Sequence, residues 1–98
     1  MSVVVLIQGN LRPGGKEALM EYYLPALAVV AKHGGEAVAL GSAGTSLYGA
    51  SRYEIGIVLK FPDKAAVDGW YNDPDYRKLI PLRERAYSDL EISLFQLR

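Results

Sequence analysis

The chain has 98 residues, half of them apolar, which suits a single globular domain over residues 1–98 and excludes a disordered linker. Eleven basic residues balance eleven acidic residues, so the net charge indicates binding neither to nucleic acid nor to an anionic membrane. There is no cysteine, which excludes disulfides and thiolate chemistry and makes the cytoplasm the expected compartment. No signal-peptide pattern and no bilayer-spanning apolar segment of ~20 residues is recognised.

The first third of the chain predicts a strand, a loop and a helix. The aliphatic run from Val3 to Ile7 predicts a strand covered on both faces, and the glycine-rich stretch 8–15 predicts a loop. Apolar residues recur at helical spacing from Lys16 to His33. Pro25 removes a backbone donor and is expected to kink or split this helix, and the two glycines 34–35 are expected to end it.

The remaining strands differ in how clearly they are marked. The stretch 36–47 predicts a second strand with a bulge or a loop insertion at 41–44. Residues 53–61 alternate between apolar and other side chains, which makes them the clearest strand in the chain. A last strand is predicted from the alternation of Leu90, Ile92 and Leu94, with Phe95 and Leu97 on its other face.

Two helix starts follow the third strand. Asp63 is a suitable N-cap for a helix from Lys64 to Tyr71. Asp73 caps a second start, with Pro74 at the first helical position, where proline is favoured. Because Pro81 interrupts this second helix, we expect a short helix over 75–80 and another turn or two over 81–87.

The predicted order of elements is β-α-β-β-α-β. This order is typical of the ferredoxin-like α+β fold, in which a four-stranded antiparallel sheet carries both helices on one face. The other face would then meet water, yet Val3 to Ile7, Val58, Phe95 and Leu97 offer it apolar side chains. Exposed apolar surface of this extent is unfavourable. We therefore predict a homodimer in which two copies pack sheet against sheet about a two-fold axis.

Several motifs carry a family resemblance. They are Phe61-Pro62, Ala65-Ala66, Trp70-Tyr71, Asp73-Pro74-Asp75-Tyr76 and Leu79 with Pro81-Leu82-Arg83, together with Tyr23, Pro25 and His33-Gly34-Gly35. With these residues the chain resembles a small bacterial family of unknown function (a domain of unknown function) in the dimeric α/β-barrel, ferredoxin-like superfamily. The resemblance implies a homodimer and no established activity.

The resemblance breaks at two charged positions. An arginine common in the second strand of the family is absent from 38–42, and a Glu-Gly pair usual before the third strand is replaced by Tyr48-Gly49. If those charges help to form a polar pocket in relatives, this chain lacks that part of it. The resemblance therefore does not imply which ligand this chain would bind at these positions.

His33 is the one histidine and has two interpretations. Its ordinary pKa of ~6.5 would suit an acid or base in a pocket. A histidine beside Gly34 at a helix end also satisfies free carbonyls and the helix dipole. Its neighbours on the helix provide no set of metal ligands, and no metal is expected.

The aromatic and charged residues of the second half also have two interpretations. Trp70 and Tyr76 would line a cavity between helices and sheet, or simply pack in the core. Arg83 would anchor a ligand carboxylate, or belong to a solvated face with the neighbouring basic residues. Glu54 and Glu91 lie within predicted strands, where either would act as a base in a cavity or remain exposed.

The sequence thus predicts an uncharacterised homodimer that binds a small, partly apolar organic ligand without a cofactor. The candidate ligand-binding residues are Tyr22, Tyr23, His33, Trp70, Tyr76 and Arg83. A cofactor-independent oxygenase or isomerase acting on an aromatic or polyketide-like substrate is an alternative. In that alternative His33 or Tyr76 would transfer protons. A structural dimer without a ligand is the third possibility.

Overall fold

Four antiparallel strands form one sheet, in which the first and third strands of the chain are central and the second and fourth lie at the edges, beside the third and the first respectively. The computed structural model of the protein describes residues 2–50 and 52–98. The elements along the chain are β1 (Val3–Leu11), α1 (Lys16–Lys32), β2 (Glu36–Gly41), β3 (Ile55–Phe61), α2 (Lys64–Asn72), α3 (Pro74–Arg77), α4 (Ile80–Ala86) and β4 (Tyr87–Gln96). This arrangement confirms the predicted ferredoxin-like α+β fold, with a four-stranded antiparallel sheet.

β1 is longer than its sequence indicates. Residues 8–11 were expected to begin a loop, but they continue the strand as far as Leu11. They do so because β1 is central and pairs with two neighbours, so that Gln8 faces Gly56 of β3 and Glu91 of β4. Ladder hydrogen bonds on both sides outweigh the low strand preference of glycine and asparagine.

β2 is shorter than predicted. It ends at Gly41, and the described residues before β3, 42–50 and 52–54, belong to no strand, so the expected extension to Leu47 is wrong. The irregularity in the pairing lies between Ala37 and Ala39, earlier than the glycine-rich segment that suggested it. β2 is an edge strand with a single partner, and its residues are exposed throughout.

α1 continues through Pro25 as one helix from Lys16 to Lys32, so the predicted split does not occur. A proline within a helix costs a hydrogen bond, and tertiary packing must offset that cost. Here Tyr22, which precedes the proline by three residues, and Ala26, which follows it directly, are buried in the core. His33 is the C-cap, and Gly34 follows with a φ of 78°, as a helix-ending glycine requires.

The predicted helix starts are confirmed. The Asp63 carboxylate accepts a hydrogen bond from the backbone N–H of Ala66 at 2.8 Å and caps α2. Asp73 accepts from the N–H of Asp75 at 2.8 Å and caps α3, with Pro74 at its start. No helix in the described ranges 2–50 and 52–98 has the length and apolar character needed to cross a membrane.

The core lies between the helices and one face of the sheet. Alternate residues of β1 and β3 point into it, as the period of two in a strand requires. The buried apolar side chains of the strands are those of Val3, Val5, Ile7, Ile55, Ile57, Leu59 and Phe61, together with Tyr87 of β4. From the helices, Tyr22, Ala26, Val29, Val30, Val67, Trp70, Tyr76 and Ala86 complete the core.

The helix-free face of the sheet has an apolar centre. Leu6 of β1 lies between Val58 of β3 and Ser93 of β4, and the next pair along β1 joins Val4 to Phe95. Phe95 is 53% exposed. We call Val4, Leu6, Val58 and Phe95 the open-face patch. An exposed cluster of this kind on a sheet is typical of an interaction surface.

Candidate functional site

A buried hydrogen-bonded cluster joins α1, α2, α3 and α4. The Tyr22 and Tyr76 hydroxyls lie 2.8 Å apart, although the two residues belong to α1 and α3. Arg83 of α4 donates from Nη1 to the Tyr76 hydroxyl and to the Tyr71 hydroxyl, each at 3.2 Å. Four of the predicted site residues therefore lie in one neighbourhood, since Trp70 packs against Tyr76 with ring centroids 4.9 Å apart.

The protonation of this cluster follows from its burial. Burial raises the pKa of the Tyr22 phenol well above its usual range, and the neighbouring Tyr76 hydroxyl adds to the rise. Burial alone would lower the pKa of the Arg83 guanidinium, but its bonds to the Tyr71 and Tyr76 hydroxyls raise it overall. The cluster therefore holds a protonated phenol and a charged guanidinium at neutral pH, which suits hydrogen bonding between elements and does not supply a base.

Two polar atoms of the cluster lack a partner. Within the described residues, neither Trp70 Nε1 nor Arg83 Nε has a hydrogen-bond acceptor, and both atoms are buried. Beside Trp70 lies a void of about 30 Å³, whose walls also include Tyr22 and Tyr23. This void is close to the size of a single water molecule. This void is therefore too small for an organic ligand.

Replacing Tyr76 with Phe tests how the cluster stabilises the fold. The change removes one hydroxyl and leaves both Tyr22 and Arg83 without a bond that they make in the native protein. We expect the free energy of unfolding to fall by about 1–3 kcal/mol, as for a buried group left unsatisfied. Tyr71→Phe is the matched control, because Tyr71 is only half-buried and bonds Arg83 alone. If urea unfolding showed that the two variants lose equal stability, the proposed stabilising role of the Tyr76 hydroxyl would be contradicted.

His33 lies apart from the cluster and has an acidic partner. Its Nε2 is 2.7 Å from Asp73 Oδ2, and Lys32 Nζ is 2.9 Å from the same oxygen. Gly69 gives the imidazole room, since a Cβ there would lie 2.8 Å from His33 Nδ1. Hydrogen bonds from His33 and then Lys32 hold the pKa of Asp73 well below its usual range. His33 thus links the end of α1 to the start of α3 through the Asp73 carboxylate.

Asp73→Asn tests this link through the pH dependence of stability. Because the folded-state pKa lies below the ordinary value of 3.8, ionised Asp73 stabilises the fold above that pH and loses this contribution as the pH falls below it. We expect the variant to melt at a lower temperature than the native protein at pH 7 and the difference to shrink below pH 3.8. The asparagine can still accept the cap bond from Asp75.

Asp68→Asn is the control for that experiment. Asp68 is exposed and pairs with Lys64 across one helical turn, at 2.9 Å, where a salt bridge contributes little. Melting temperatures recorded from pH 2 to pH 8 would contradict the role of Asp73 if the two variants behaved alike.

An apolar recess on the helix side lies between α1 and the edge of the sheet. It has a volume of about 610 Å³ and is bounded by α1, β2, β3 and the first residue of β4. It exists because α1 leaves the edge strand β2 uncovered. We call it the α1–β2 groove, and its lining residues are Leu19, Met20, Tyr23, Leu24, Leu40, Gly41, Ser42, Ile55, Ile57 and Tyr87.

The six predicted ligand-binding residues separate into three places. Tyr22, Trp70, Tyr76 and Arg83 form the buried cluster, His33 pairs with Asp73, and Tyr23 lines the α1–β2 groove. A shared ligand site for all six remains a prediction.

Sequence reasoning missed the residues that bound the groove. Met20 and Leu24 are 68% and 71% exposed, and Leu40 is 57% exposed. Met20 and Leu24 are spaced by one helical turn and lie beside the buried stripe of α1. That spacing was the signal that could have found them, because a large apolar pair outside the buried stripe indicates a surface to be covered.

The two carboxylates predicted to lie within strands have structural partners, although Glu54 lies directly before β3 and only Glu91 is within a strand. Glu54 accepts a hydrogen bond from the backbone N–H of Leu11 at 3.0 Å. Glu91, on the helix-free face, accepts from the Tyr53 hydroxyl at 2.7 Å. Both pairs hold the start of β3 against the central and outer strands.

The family described as a domain of unknown function (DUF1330) matches residues 7–96. The chain belongs to this family. The match spans the motifs that carried the resemblance, from Tyr23 to Arg83, and confirms that prediction. No curated protein matches the chain.

Solved structures similar to this DUF1330 member share its fold. RPA0582 of Rhodopseudomonas palustris, of unknown function, is 23% identical with a TM-score of 0.84, over 99% of this chain and 83% of that one. A protein from Jannaschia sp. CCS1 is 14% identical with a TM-score of 0.77, over 99% and 100%. One from Thermobifida fusca YX is 16% identical with a TM-score of 0.69, over 99% and 92%. The last two are described as dimeric ferredoxin-like proteins of unknown function. At these identities the likeness shows the fold alone.

Proposed function

We propose that this DUF1330 chain forms a homodimer through its open-face patch and binds a small, largely apolar organic molecule in the α1–β2 groove. The groove carries the proposal. Its volume of about 610 Å³ falls within the usual ~300–1,000 Å³ of small-molecule sites. Its mouth bears Met20, Leu24 and Leu40, three large apolar side chains that face solvent without a partner. A ligand that covers them would gain free energy from their burial.

Support for the dimer comes from two directions. Structurally similar proteins are described as dimeric ferredoxin-like proteins. In this chain, Leu6, Val58 and Phe95 place apolar surface on the face of the sheet that the helices leave bare. A two-fold partner on that face would leave the groove accessible, because the groove lies on the helix side.

The proposal is for binding without turnover. His33 and Tyr76, the two candidates for proton transfer, both make short hydrogen bonds to protein partners and neither lines the groove. The predicted cytoplasmic location continues to rest on the cysteine-free sequence.

Leu24→Glu tests the groove with the neutral fluorophore N-phenyl-1-naphthylamine. The native protein should bind the probe saturably, with enhanced fluorescence. The variant places a carboxylate at the mouth of the groove and should weaken binding by about tenfold or more. Leu47→Glu is the matched control, because Leu47 is 99% exposed and does not line the groove. Absence of saturable binding, or equal losses in the two variants, would refute the groove as a ligand site.

A further inference from the structure

The polar groups of the α1–β2 groove are few and uncharged. Its ten lining residues include no acidic or basic side chain. The polar side chains among them are those of Tyr23, Ser42 and Tyr87. Tyr87 is the most buried of the ten, at 4% exposure. It therefore lies at the floor of the groove, where a bound molecule would be farthest from water.

The hydroxyls of Tyr23 and Tyr87 make no bond to protein within residues 2–50 and 52–98. The tyrosine hydroxyls that do make such bonds there belong to Tyr22, Tyr53, Tyr71 and Tyr76. Neither hydroxyl is among the buried side-chain atoms that lack a partner, which in these ranges are Trp70 Nε1 and Arg83 Nε, so both hydroxyls reach open space. Because Tyr23 and Tyr87 line the groove, their hydroxyls are available to donate to a ligand there.

The Tyr87 ring is fixed against the sheet. A Cβ on Gly9 would lie 2.8 Å from Tyr87 Cδ1, so the ring rests directly on the backbone of β1. Burial raises the pKa of the Tyr87 phenol, and the nearby Tyr76 and Tyr23 phenols raise it further. The hydroxyl therefore stays protonated at neutral pH and serves as a hydrogen-bond donor.

We propose that the groove selects a neutral carbonyl compound with an apolar body, whose oxygen accepts hydrogen bonds from Tyr87 and Tyr23. This inference rests on the binding function proposed above. A carboxylate would enter a groove with no cation to pair with it, which is costly. A hydrocarbon would leave the two hydroxyls without an acceptor, so it should bind less tightly than the carbonyl compound.

Three probes of similar shape test the proposal by isothermal titration calorimetry: naphthalene, 2-acetonaphthone and 2-naphthoate. We expect 2-acetonaphthone to bind about threefold to tenfold more tightly than naphthalene, the effect of one net hydrogen bond. The charged 2-naphthoate should bind more weakly than 2-acetonaphthone by about tenfold or more.

Tyr87→Phe and Tyr23→Phe remove each hydroxyl and keep each ring. Tyr87→Phe should remove most of the advantage of 2-acetonaphthone over naphthalene and leave naphthalene binding unchanged. Tyr23→Phe should reduce part of the same advantage. Tyr48→Phe is the control, because Tyr48 is 99% exposed and does not line the groove.

The outcomes separate this inference from the proposed function. Equal affinities for naphthalene and 2-acetonaphthone, unchanged by Tyr87→Phe, would overturn the carbonyl selection and leave the groove a ligand site. If 2-naphthoate bound more tightly than 2-acetonaphthone, the proposed preference for a neutral ligand would be overturned. Failure of all three probes and of N-phenyl-1-naphthylamine would overturn both proposals. If NMR resonances of the groove residues shifted with protein concentration alone, a second copy of the chain would occupy the groove. That result would also overturn this inference.

Discussion

Leu6→Glu should convert the dimer into single chains. Leu6 lies at the centre of the open-face patch, between Val58 and Ser93 on the neighbouring strands. In a sheet-to-sheet dimer each copy would lose the burial of a leucine and would have to desolvate a carboxylate. At about 2 kcal/mol for each leucine alone, the dimer loses about 4 kcal/mol, which weakens its dissociation constant by roughly a thousandfold. Desolvation adds to this loss.

Sedimentation at micromolar concentration measures the result. The native protein should sediment with the mass of two chains and the Leu6→Glu variant with the mass of one. The variant should remain folded, because in a single chain the side chain at position 6 faces solvent on the helix-free side. Leu24→Glu is the reciprocal control, since it introduces the same charge on the helix side and should leave the dimer intact. A native protein with the mass of one chain would contradict the proposed assembly.

Trp70→Ala should cause a larger loss of stability than Tyr76→Phe or Asp73→Asn. Trp70 is 2% exposed, and its ring lies 5.5 Å from that of Phe61 and 4.9 Å from that of Tyr76. Truncating a buried tryptophan removes its transfer free energy and leaves a cavity, at a cost of about 3–5 kcal/mol. Domains of this size are stable by about 5–15 kcal/mol in total, so the variant should be only marginally folded.

Urea unfolding followed by far-ultraviolet circular dichroism measures this effect without relying on tryptophan fluorescence. Trp70→Phe should cost less, because it keeps an aromatic ring and removes the buried Nε1 that lacks an acceptor within the described residues. Tyr48→Ala is the control for aromatic truncation, since Tyr48 is 99% exposed and its loss should cost less than about 0.5 kcal/mol. A Trp70→Ala variant as stable as the Tyr48→Ala variant would show that Trp70 does not support the core.

Some residues line both the α1–β2 groove and the core, so a substitution in the core can also change the groove. Tyr23, Ile57 and Tyr87 line both the α1–β2 groove and the small void beside Trp70. Truncations in the core should therefore also alter ligand binding. The hydroxyl substitutions Tyr87→Phe and Tyr23→Phe avoid this difficulty because they preserve packing, which is why they are the sharper tests of recognition.

Local patterns in the sequence determined the type and order of the elements. The alternation of β3 and the caps Asp63 and Asp73 act over a few residues, so they can be read without knowledge of the fold. The order of these elements predicted the ferredoxin-like arrangement, its apolar helix-free face predicted a dimer, and the family motifs supported the dimer. The apolar character of Leu6, Val58 and Phe95 was likewise visible in the sequence, because strand alternation assigns each residue to a face.

Only the tertiary structure decided which distant side chains meet. The extension of β1 to Leu11 depends on two neighbouring strands, whose pairing outweighs local preference. The bonds of Tyr22 to Tyr76 and of His33 to Asp73 cross between helices far apart in sequence. The α1–β2 groove exists because α1 leaves β2 uncovered, and that depends on how a helix is placed over a sheet. Periodicity gives the face on which a residue lies, whereas its partners follow from the packing of the whole chain.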